Sequence, residues 1–365
     1  MKVPSLNIGN LSARLPIVQG GMGVGISMSG LAGAVARAGG IGVISAVGLG
    51  FYRPDINVDK VEANIQALHD QIKLAREKAR GGIIGVNIMV AISEFDDLVR
   101  ASIEAGADII FAGAGLPTDL PKLIEGSKIK LAPIISSAKA ASVICRAWTK
   151  RYNYTPDAIV LEGPLAGGHL GFNIDELEQA DEHTLDTLLK EVLEAVKPFE
   201  EAAGRSIPII AGGGVWDGKD IAKLLTSGAA AVQMATRFVT TEECDASDDF
   251  KKAYLAAQSP DDLMLIKSPV GLPGRALRNS FLERVSEGET IPTRCSYNCL
   301  KTCKPREAPY CIANVLINAQ KGQLEDGFAF AGANAWRCQE IVAVQELMDQ
   351  LEKETEQELN NLENK

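Results

Sequence analysis

Apolar and polar positions follow a regular order along this chain from about residue 16 onward. Short apolar runs rich in β-branched residues are each followed by a glycine-containing turn and then by a stretch with apolar residues at helical spacing. The clearest helical stretch spans 61–80, with apolar side chains at positions 61, 65, 68, 72 and 75. This order predicts alternating strands and helices, which together form a parallel sheet.

Eight strands fit this order before it stops. The predicted strands are 16–20, 41–46, 83–89, 108–112, 131–135, 157–161, 207–211 and 230–235. The predicted helices between them are 29–38, 61–80, 94–105, 119–125, 138–151, 185–203 and 218–226. A count of eight favours an α/β fold of the closed (β/α)8 TIM-barrel type over an open doubly wound sheet. The loops at the carboxyl ends of the strands are then expected to meet at one face, where barrel enzymes hold their active sites.

The alternation ends after the eighth strand. A further helix is predicted at 248–258, and a charged amphipathic helix at 341–362. We therefore expect a barrel at 1–258 and an appended region at 259–365 that covers the mouth of the barrel as a lid. The terminal helix could also pack on another subunit of a homodimer. The segment 332–337 fits either the lid or a simple packing corner.

Composition narrows the class of protein. The chain has 365 residues, of which 46% are hydrophobic and 23% charged, with a formal charge of −10 and no basic stripe. This composition is typical of a globular enzyme and argues against a nucleic-acid partner. The first residues lack the apolar core of a signal peptide, and no apolar run approaches the roughly 20 residues that span a bilayer. We therefore expect a cytoplasmic protein without membrane contact.

The glycine-rich loop 163–171 carries the most reactive candidate side chain. It follows the sixth predicted strand and places His169 beside Gly167, Gly168 and Gly171. Glycines let backbone amides approach a ligand closely, and an imidazole exchanges a proton near neutral pH. We therefore predict a catalytic role for His169, with a purely structural loop histidine as the alternative.

The chain has only two other histidines. His69 lies on a predicted helix, and His183 lies in a charged segment. Both are expected at solvated surface positions, so neither is a candidate for the site.

Two further loops predict a site for a phosphate group. The seventh strand runs into Gly212, Gly213 and Gly214, and the eighth ends in the segment 233–237. In (β/α)8 barrels these two loops commonly bind phosphate, because glycine amides and helix N-termini supply unpaired N–H donors. We therefore expect a phosphorylated cofactor there, with three glycines in a tight turn as the alternative. The run 21–25 lacks the glycine spacing of the dinucleotide-binding fingerprint.

The seven cysteines, an odd number, argue against a disulfide framework. Cys295, Cys299, Cys303 and Cys311 are separated by three, three and seven residues. This spacing matches none of the standard metal-binding runs, but it could gather four thiolates around an iron–sulfur cluster or a zinc ion. Reduced structural cysteines are the simpler interpretation, and a metal site is the alternative.

Several of these segments, taken in their order, also carry a resemblance to a known family. They are 16–22 (PIVQGGM), 85–89 (GVNIM), 113–115 (GAG), Glu162 with 166–169 (AGGH), 211–214 (AGGG), 233–238 (QMATRF) and 271–276 (GLPGRA). From about residue 16 to residue 279 the chain resembles the nitronate monooxygenase (2-nitropropane dioxygenase-like) family of FMN enzymes. That family is related to the flavin-type enoyl-acyl-carrier-protein reductase.

The resemblance implies a barrel that holds FMN without a covalent bond. His169 corresponds to the family's catalytic histidine. Gly21 and Met22 would lie against the flavin, and the later glycine loops would hold the phosphate. The cofactor-binding residues that it implies are Gly21, Met22, Asn87, Lys139, Glu162, Gly167, Gly168, Gly213, Gly214, Gln233, Met234, Ala235 and Thr236.

The resemblance further implies an oxidoreductase that oxidises alkyl nitronates or nitroalkanes with O2 to a carbonyl compound and nitrite. An NAD(P)H-dependent enoyl-thioester reductase is the alternative, and the barrel motifs do not separate the two. A third reading is a barrel that binds a phosphorylated ligand without redox chemistry. The shortage of charged residues at the strand ends argues against that reading.

Overall fold

The computed structural model describes residues 2–56, 58–179, 184–292, 295 and 297–364. In chain order its strands are β1 Leu6–Ile8, β2 Leu11–Ala13, β3 Ile17–Gln19, β4 Ile41–Ser45, β5 Ile83–Met89, β6 Ile109–Gly113, β7 Lys130–Ile135, β8 Ile159–Glu162, β9 Gly168–His169, β10 Ile209–Gly212, β11 Ala231–Met234, β12 Leu263–Lys267 and β13 Pro273–Leu277. Its helices are α1 Ser29–Arg37, α2 Lys60–Ala79, α3 Phe95–Glu104, α4 Leu120–Leu123, α5 Ala138–Tyr152, α6 Ile174–Glu178, α7 Leu185–Ala203, α8 Gly218–Thr226, α9 Thr236–Val239, α10 Asp248–Ala256, α11 Ser280–Ser286, α12 Ile312–Gln320 and α13 Val344–Glu363. His183, predicted at a solvated position, lies outside the described residues.

Eight strands close into a barrel of parallel strands in the order β3, β4, β5, β6, β7, β8, β10 and β11. β11 pairs with β3, with Met234 opposite Gln19, and this pairing closes the ring. Each predicted strand overlaps one of these, with ends that differ by at most two residues. The predicted (β/α)8 barrel is therefore confirmed.

The amino-terminal hairpin of β1 and β2 packs against the barrel strands. Gly9 in its turn has a φ of +59°, in the left-handed region that favours glycine. Leu6 and Ile8 are buried in the same apolar cluster as Val18 and Phe111 of the barrel. The sequence pattern did not predict this hairpin, because strands of three residues are too short to show alternation.

A second, antiparallel sheet joins the appended region to the histidine loop. Its strand order is β12, β13 and β9. β13 pairs with β9, with Gly274 opposite His169 and Arg275 opposite Gly168. The sequence pattern predicted none of these strands. β12 and β13 pair locally, whereas β9 has two residues and pairs with β13 across more than 100 residues. Main-chain hydrogen bonds therefore connect the appended region to the loop that follows the sixth barrel strand.

The terminal helix α13 packs on the barrel of its own chain, against α8 and α1. Its residues Val344, Leu347, Met348 and Leu351 are fully buried in the cluster that contains Val35 of α1. Because α9, which follows the eighth barrel strand, has only four residues, α13 takes the place of the eighth barrel helix. The apolar face of α13 is thus buried within its own chain and is not free to contact another subunit. The homodimer stays a prediction, but α13 does not provide an apolar surface for it.

The division of the chain at residue 258 likewise stays a prediction. No helix in the described part of the chain is both long and apolar enough to cross a membrane.

Candidate active site

A cavity lies at the carboxyl ends of the barrel strands. Loops that follow barrel strands line one side, and residues of the appended region line the other. The predicted site residues on its wall are Gly21, Met22, Asn87, Glu162, Gly167, Gly168, His169, Gln233, Ala235 and Thr236. The barrel therefore brings together residues that are widely separated in the sequence, as its topology predicts.

Gly21 lies directly against the side chain of Asn87. A methyl group at Gly21 would come within 2.4 Å of the Asn87 Cβ, closer than atoms can approach without displacement. The Asn87 side chain donates a hydrogen bond of 3.3 Å from Nδ2 to the carbonyl of Phe111 on the neighbouring strand. Only glycine fits at position 21, so the cavity wall there consists of main chain without a side chain.

His169 is held between a serine and an aromatic ring, both from the appended region. Its Nε2 shares a hydrogen bond of 2.7 Å with the Ser268 hydroxyl. The ring of Phe330 meets the imidazole edge to face, with centroids 4.8 Å apart. Burial lowers the pKa of His169 to about 4, because a charged imidazolium would be poorly solvated there. The imidazole is therefore neutral at physiological pH.

A buried arginine fixes the loop that carries this histidine. One guanidinium nitrogen of Arg275, Nη1, donates to the carbonyls of Pro164 and Ala166 at 2.7 and 2.6 Å. A Cβ at Gly167 would lie 2.4 Å from the carbonyl carbon of Ala331, so the loop touches the appended region main chain to main chain. The position of the histidine therefore depends on the docked appended region.

Glu162 ends the sixth barrel strand and lines the cavity. None of the described residues donates a hydrogen bond to its carboxylate or forms an ion pair with it. Burial raises the pKa of Glu162 to about 7. An acidic group without a partner on the cavity wall is available to a ligand, because buried polar groups normally have partners.

Replacing Glu162 with glutamine is expected to change how stability depends on pH. The raised pKa means that the folded chain binds this proton more tightly than the unfolded chain, so stability falls as pH rises from about 4.5 to about 7. The carboxylate should cost about 3 kcal/mol of unfolding free energy above pH 7. Urea unfolding of the flavin-free protein at pH 5 and pH 8 should show this loss in the wild type and not in Glu162→Gln. Equal pH dependence in both proteins would contradict the assignment.

Two adjacent loops present main-chain donors without acceptors. The N–H groups of Gly213, Gly214, Ala235 and Thr236 have no hydrogen-bond acceptor within the described part of the chain. Gly213 and Gly214 have φ values of +103° and +90°, a conformation that side-chain-bearing residues rarely adopt. Unpaired amides in neighbouring loops can bind an anion, which is the role predicted for these two loops.

The segment 332–337 contacts both of these loops. The N–H of Gly332 donates to the Thr236 hydroxyl at 3.1 Å, and Asn334 donates from Nδ2 to the carbonyl of Gly214 at 2.6 Å. Of the two alternatives for this segment, the structure therefore supports the lid: it packs on the loops predicted to bind phosphate.

Four of the predicted cofactor residues do not line the cavity. They are Lys139, Gly213, Gly214 and Met234. Lys139 is exposed in the first turn of α5, where the Ser137 side chain caps the helix by accepting the N–H of Ala140. Met234 is buried in the apolar cluster between the barrel and its helices, together with Leu31 of α1 and Leu347 of α13. Its carbonyl accepts the Gly20 N–H at 2.8 Å. Contact of Lys139 with a cofactor stays a prediction from the resemblance alone.

The sequence did not identify Ser268, Phe330 or Arg275 as site residues. Arg275 lies within the run 271–276, which resembles the family's segment after the barrel. That resemblance could have indicated that Arg275 lies near the site. Ser268 and Phe330 carried no local signal, because their roles arise from the pairing of β9 with β13.

The wall supplied by the appended region is mostly apolar. Its residues include Val270, Tyr297, Leu300, Ile312, Leu316, Phe328 and Phe330. Cys299 also lines the cavity, and burial, with the neighbouring thiols as a smaller cause, raises its pKa to about 12. This side of the cavity can therefore accommodate an apolar group of a substrate.

Fold and site together define a class, the (β/α)8 barrel proteins with a cavity at the carboxyl ends of the strands. Within this class, the nitronate monooxygenase family matches the chain over residues 5–354, nearly its whole length. The chain belongs to the nitronate monooxygenase family.

Relatives of the chain carry names that describe different activities. A Mycobacterium tuberculosis (strain ATCC 25618 / H37Rv) protein named (3aS,4S,5R,7aS)-5-hydroxy-7a-methyl-1-oxo-octahydro-1H-indene-4-carboxyl-CoA dehydrogenase is 31% identical over 274 residues, 75% of this chain and 66% of that protein. The chain thus spans just under two thirds of that relative's length. A probable nitronate monooxygenase of Staphylococcus aureus (strain Newman) is 26% identical over 343 residues, 86% of this chain and 89% of that protein. The structure of FabK from Thermotoga maritima superposes with a TM-score of 0.74 at 29% identity over 96% of each chain.

Proposed function

We propose that the cavity binds FMN. Three observations support a flat ring system that carries a phosphate group: the wall without a side chain at Gly21, the Glu162 carboxyl without a partner among the described residues, and the two loops with unpaired amides. The enzymes of this family are flavoenzymes. Bound FMN would supply the electron acceptor that no protein side chain provides.

Each part of the cavity has a separate task in this proposal. Gly21 and Met22 would lie against the ring system, while Asn87 and Glu162 would offer hydrogen bonds to its polar edge. The four unpaired amides of the loops after β10 and β11 would hold the phosphate. Gly167, Gly168 and Gln233 would complete the wall beside the histidine.

We infer further that the substrate is an alkyl nitronate, which is oxidised with O2 to a carbonyl compound and nitrite. The observation that carries this inference is the buried His169 on the cavity wall, whose Nε2 is held by the Ser268 hydroxyl and whose pKa burial lowers to about 4. So weak a base removes a proton from a neutral nitroalkane poorly, because general-base catalysis works best when the pKa lies near the working pH. A nitronate has already lost that proton, and the imidazole needs only to orient it.

Ser268 is a positioning residue in this scheme. A Ser268 hydroxyl that donates to Nε2 of His169 leaves the ring proton on Nδ1, where it can be donated to an anionic oxygen. The N–H of Val270 donates to the same hydroxyl at 3.4 Å and so limits its orientation. The serine therefore holds Nε2 in a hydrogen bond and fixes the orientation of the imidazole.

Replacing Ser268 with alanine is expected to lower kcat by about tenfold, because the imidazole loses the hydrogen bond that orients it. FMN content should stay the same, since Ser268 does not line the cavity. Ser268→Thr, which keeps a hydroxyl, should recover most of the activity, and the exposed Ser286→Ala serves as the matched control. Steady-state kinetics with a nitronate test this. If Ser268→Thr were as slow as Ser268→Ala, the hydroxyl would have no positioning role.

An enoyl-thioester reductase is the second candidate. The apolar wall of the appended region favours it, because an acyl chain would bury more apolar surface there than a small nitronate. The FabK structure belongs to a flavin enoyl-acyl-carrier-protein reductase, and the 31% identical relative is named as a carboxyl-CoA dehydrogenase. In this reading NAD(P)H would be the electron donor.

One anaerobic experiment separates the two candidates. The flavin-loaded protein is mixed in turn with NADH, NADPH and ethyl nitronate, and bleaching of the flavin absorption is followed. Reduction by the nitronate alone is the expected result. Reduction only by the nicotinamides would replace this proposal with the reductase, and a preparation without any flavin absorption would overturn both.

A further inference from the structure

Four of the seven cysteines surround one small cavity in the appended region. Cys295, Cys299, Cys303 and Cys311 line it together with the apolar residues Leu300, Pro305, Tyr310 and Ile312 and with Asn298. All four cysteines are free thiols. The remaining three, Cys145, Cys244 and Cys338, are buried elsewhere. The four cysteines that are separated by three, three and seven residues in the sequence thus lie around one cavity in the structure. The sequence alone could not establish this.

The main chain fixes this cysteine-rich loop to the barrel. The N–H of Ser93 donates to the carbonyl of Cys299 at 3.0 Å, and the N–H of Lys301 donates to the carbonyl of Ala91 at 2.9 Å. Ile92 and Leu300 form a β-bridge between these two bonds. The thiols are therefore carried by a segment that is held in place by the loop after the third barrel strand.

The cysteines extend from the surface to the active-site cavity. Cys295 is exposed, whereas Cys299 lines both the small cavity and the large one. Cys311 lies immediately before α12, and Cys303 is half-buried between these extremes. A group held by all four would stand beside the cavity in which we propose FMN, with one side toward solvent.

The cysteines share one cavity, and this grouping bears on the kind of metal centre they can hold. Among the described residues, no three His, Cys, Asp or Glu side chains form a ready-made group that could hold a metal ion. A zinc ion needs each sulfur about 2.3 Å from one centre, so a zinc site does not fit. In a four-iron cluster each cysteine binds a different iron atom, and the sulfurs therefore stand farther apart.

The charge of the segment fits an anionic cluster. Four thiolates around iron and sulfide carry net negative charge. Lys301, Lys304, Arg306 and Glu307 lie between the cysteines, and Lys304 pairs with Glu307 at 3.1 Å, so Lys301 and Arg306 leave the segment net positive. The Lys301 ammonium donates to the carbonyl of Val90 at 2.9 Å, which keeps it beside the barrel loop. The apolar residues of the small cavity would exclude water from the cluster.

From this arrangement we propose that Cys295, Cys299, Cys303 and Cys311 ligate an iron–sulfur cluster of the [4Fe–4S] type beside the active-site cavity. The site is independent of the FMN proposal, because it is formed entirely by the cysteine-rich loop and α12. It gives the enzyme a one-electron carrier next to its cavity.

Purification of the full chain under anaerobic conditions, followed by reconstitution with ferrous iron and sulfide, tests the proposal. About four iron and four acid-labile sulfide per chain are expected, with an electron paramagnetic resonance signal after reduction by dithionite. Cys303→Ser and Cys295→Ser should lose most of the iron and the signal. Cys145→Ser, at a buried cysteine far from the loop, is the matched control and should keep both.

Flavin content, measured on the same samples, separates this proposal from the previous one. A protein with flavin but without iron and sulfide would overturn the cluster and leave the FMN proposal standing. Stoichiometric zinc, or equal iron in the wild type and in Cys303→Ser, would also overturn it. Circular dichroism of each variant verifies that the comparison is made between folded proteins.

Discussion

Replacing His169 with alanine is expected to lower kcat by about 100- to 10,000-fold while FMN content stays at the wild-type level. The structure orients the imidazole from two sides, by the Ser268 hydroxyl and the Phe330 ring. Its loss would remove the group that we propose orients the substrate. Gly21 and the loops after β10 and β11, which we propose hold the phosphate, would be unchanged. Stopped-flow and steady-state measurements with a nitronate, alongside flavin absorption, give both quantities.

The pH dependence of kcat adds a second test of the same residue. Because burial lowers the pKa of His169 to about 4, protonation of the ring should reduce activity only as pH falls toward 4, not near the usual 6.5. His69→Ala, at a helix position outside the cavity, is the matched control and should keep full activity. Full activity in His169→Ala would mean that another group orients the substrate.

Replacing Gly21 with alanine is expected to weaken FMN binding by about ten- to a hundredfold. The new methyl group would lie 2.4 Å from the Asn87 Cβ, and relief requires the strand end or the asparagine to move. Overpacking of this kind typically costs about 1–3 kcal/mol, which corresponds to a roughly ten- to hundredfold loss of FMN affinity. Titration of the flavin-free protein with FMN measures it.

The double variant Gly21→Ala with Asn87→Gly sharpens this test. It removes the Cβ with which the new methyl group collides, so the steric part of the loss should be recovered. Because Asn87→Gly also removes a proposed FMN contact, the double variant should bind FMN about as tightly as Asn87→Gly alone. Gly106→Ala is the control for a glycine of positive φ that has no neighbouring atom within 4 Å. It should lower stability without changing FMN affinity. Unchanged affinity in Gly21→Ala would mean that the cofactor does not lie at this wall.

The barrel was predictable from the sequence because its signals are local. A strand such as β5 is a continuous apolar run between a glycine turn and a helix, and eight such units leave few topologies. His169, Glu162 and Asn87 could be placed near one another for the same reason: each stands in or just after a barrel strand. The prediction of the site thus followed from the prediction of the fold.

The rest of the site could not be predicted because its signals are not local. Ser268 reaches His169 only through the pairing of β13 with β9, and no periodicity in the run 263–277 indicates that partner. The exposure of Lys139 depends on where α5 begins, and helix boundaries are set by caps such as Ser137. The sequence pattern did not identify α13 as the eighth barrel helix, because its packing against α1 and α8 joins segments far apart in the sequence.

The position of α13 also determines the order in which the molecule can fold. Arg14 and Glu352 form an ion pair of 2.6 Å across 338 residues of sequence. Gly218 at the start of α8 packs so closely on Glu354 that an added Cβ would lie 2.3 Å from it. Contacts this distant in sequence form late, since the entropy of closing a long loop must be overcome first. A growing polypeptide therefore exposes apolar surface on α1 and α8 until α13 docks, and chaperone dependence during synthesis is the expected result.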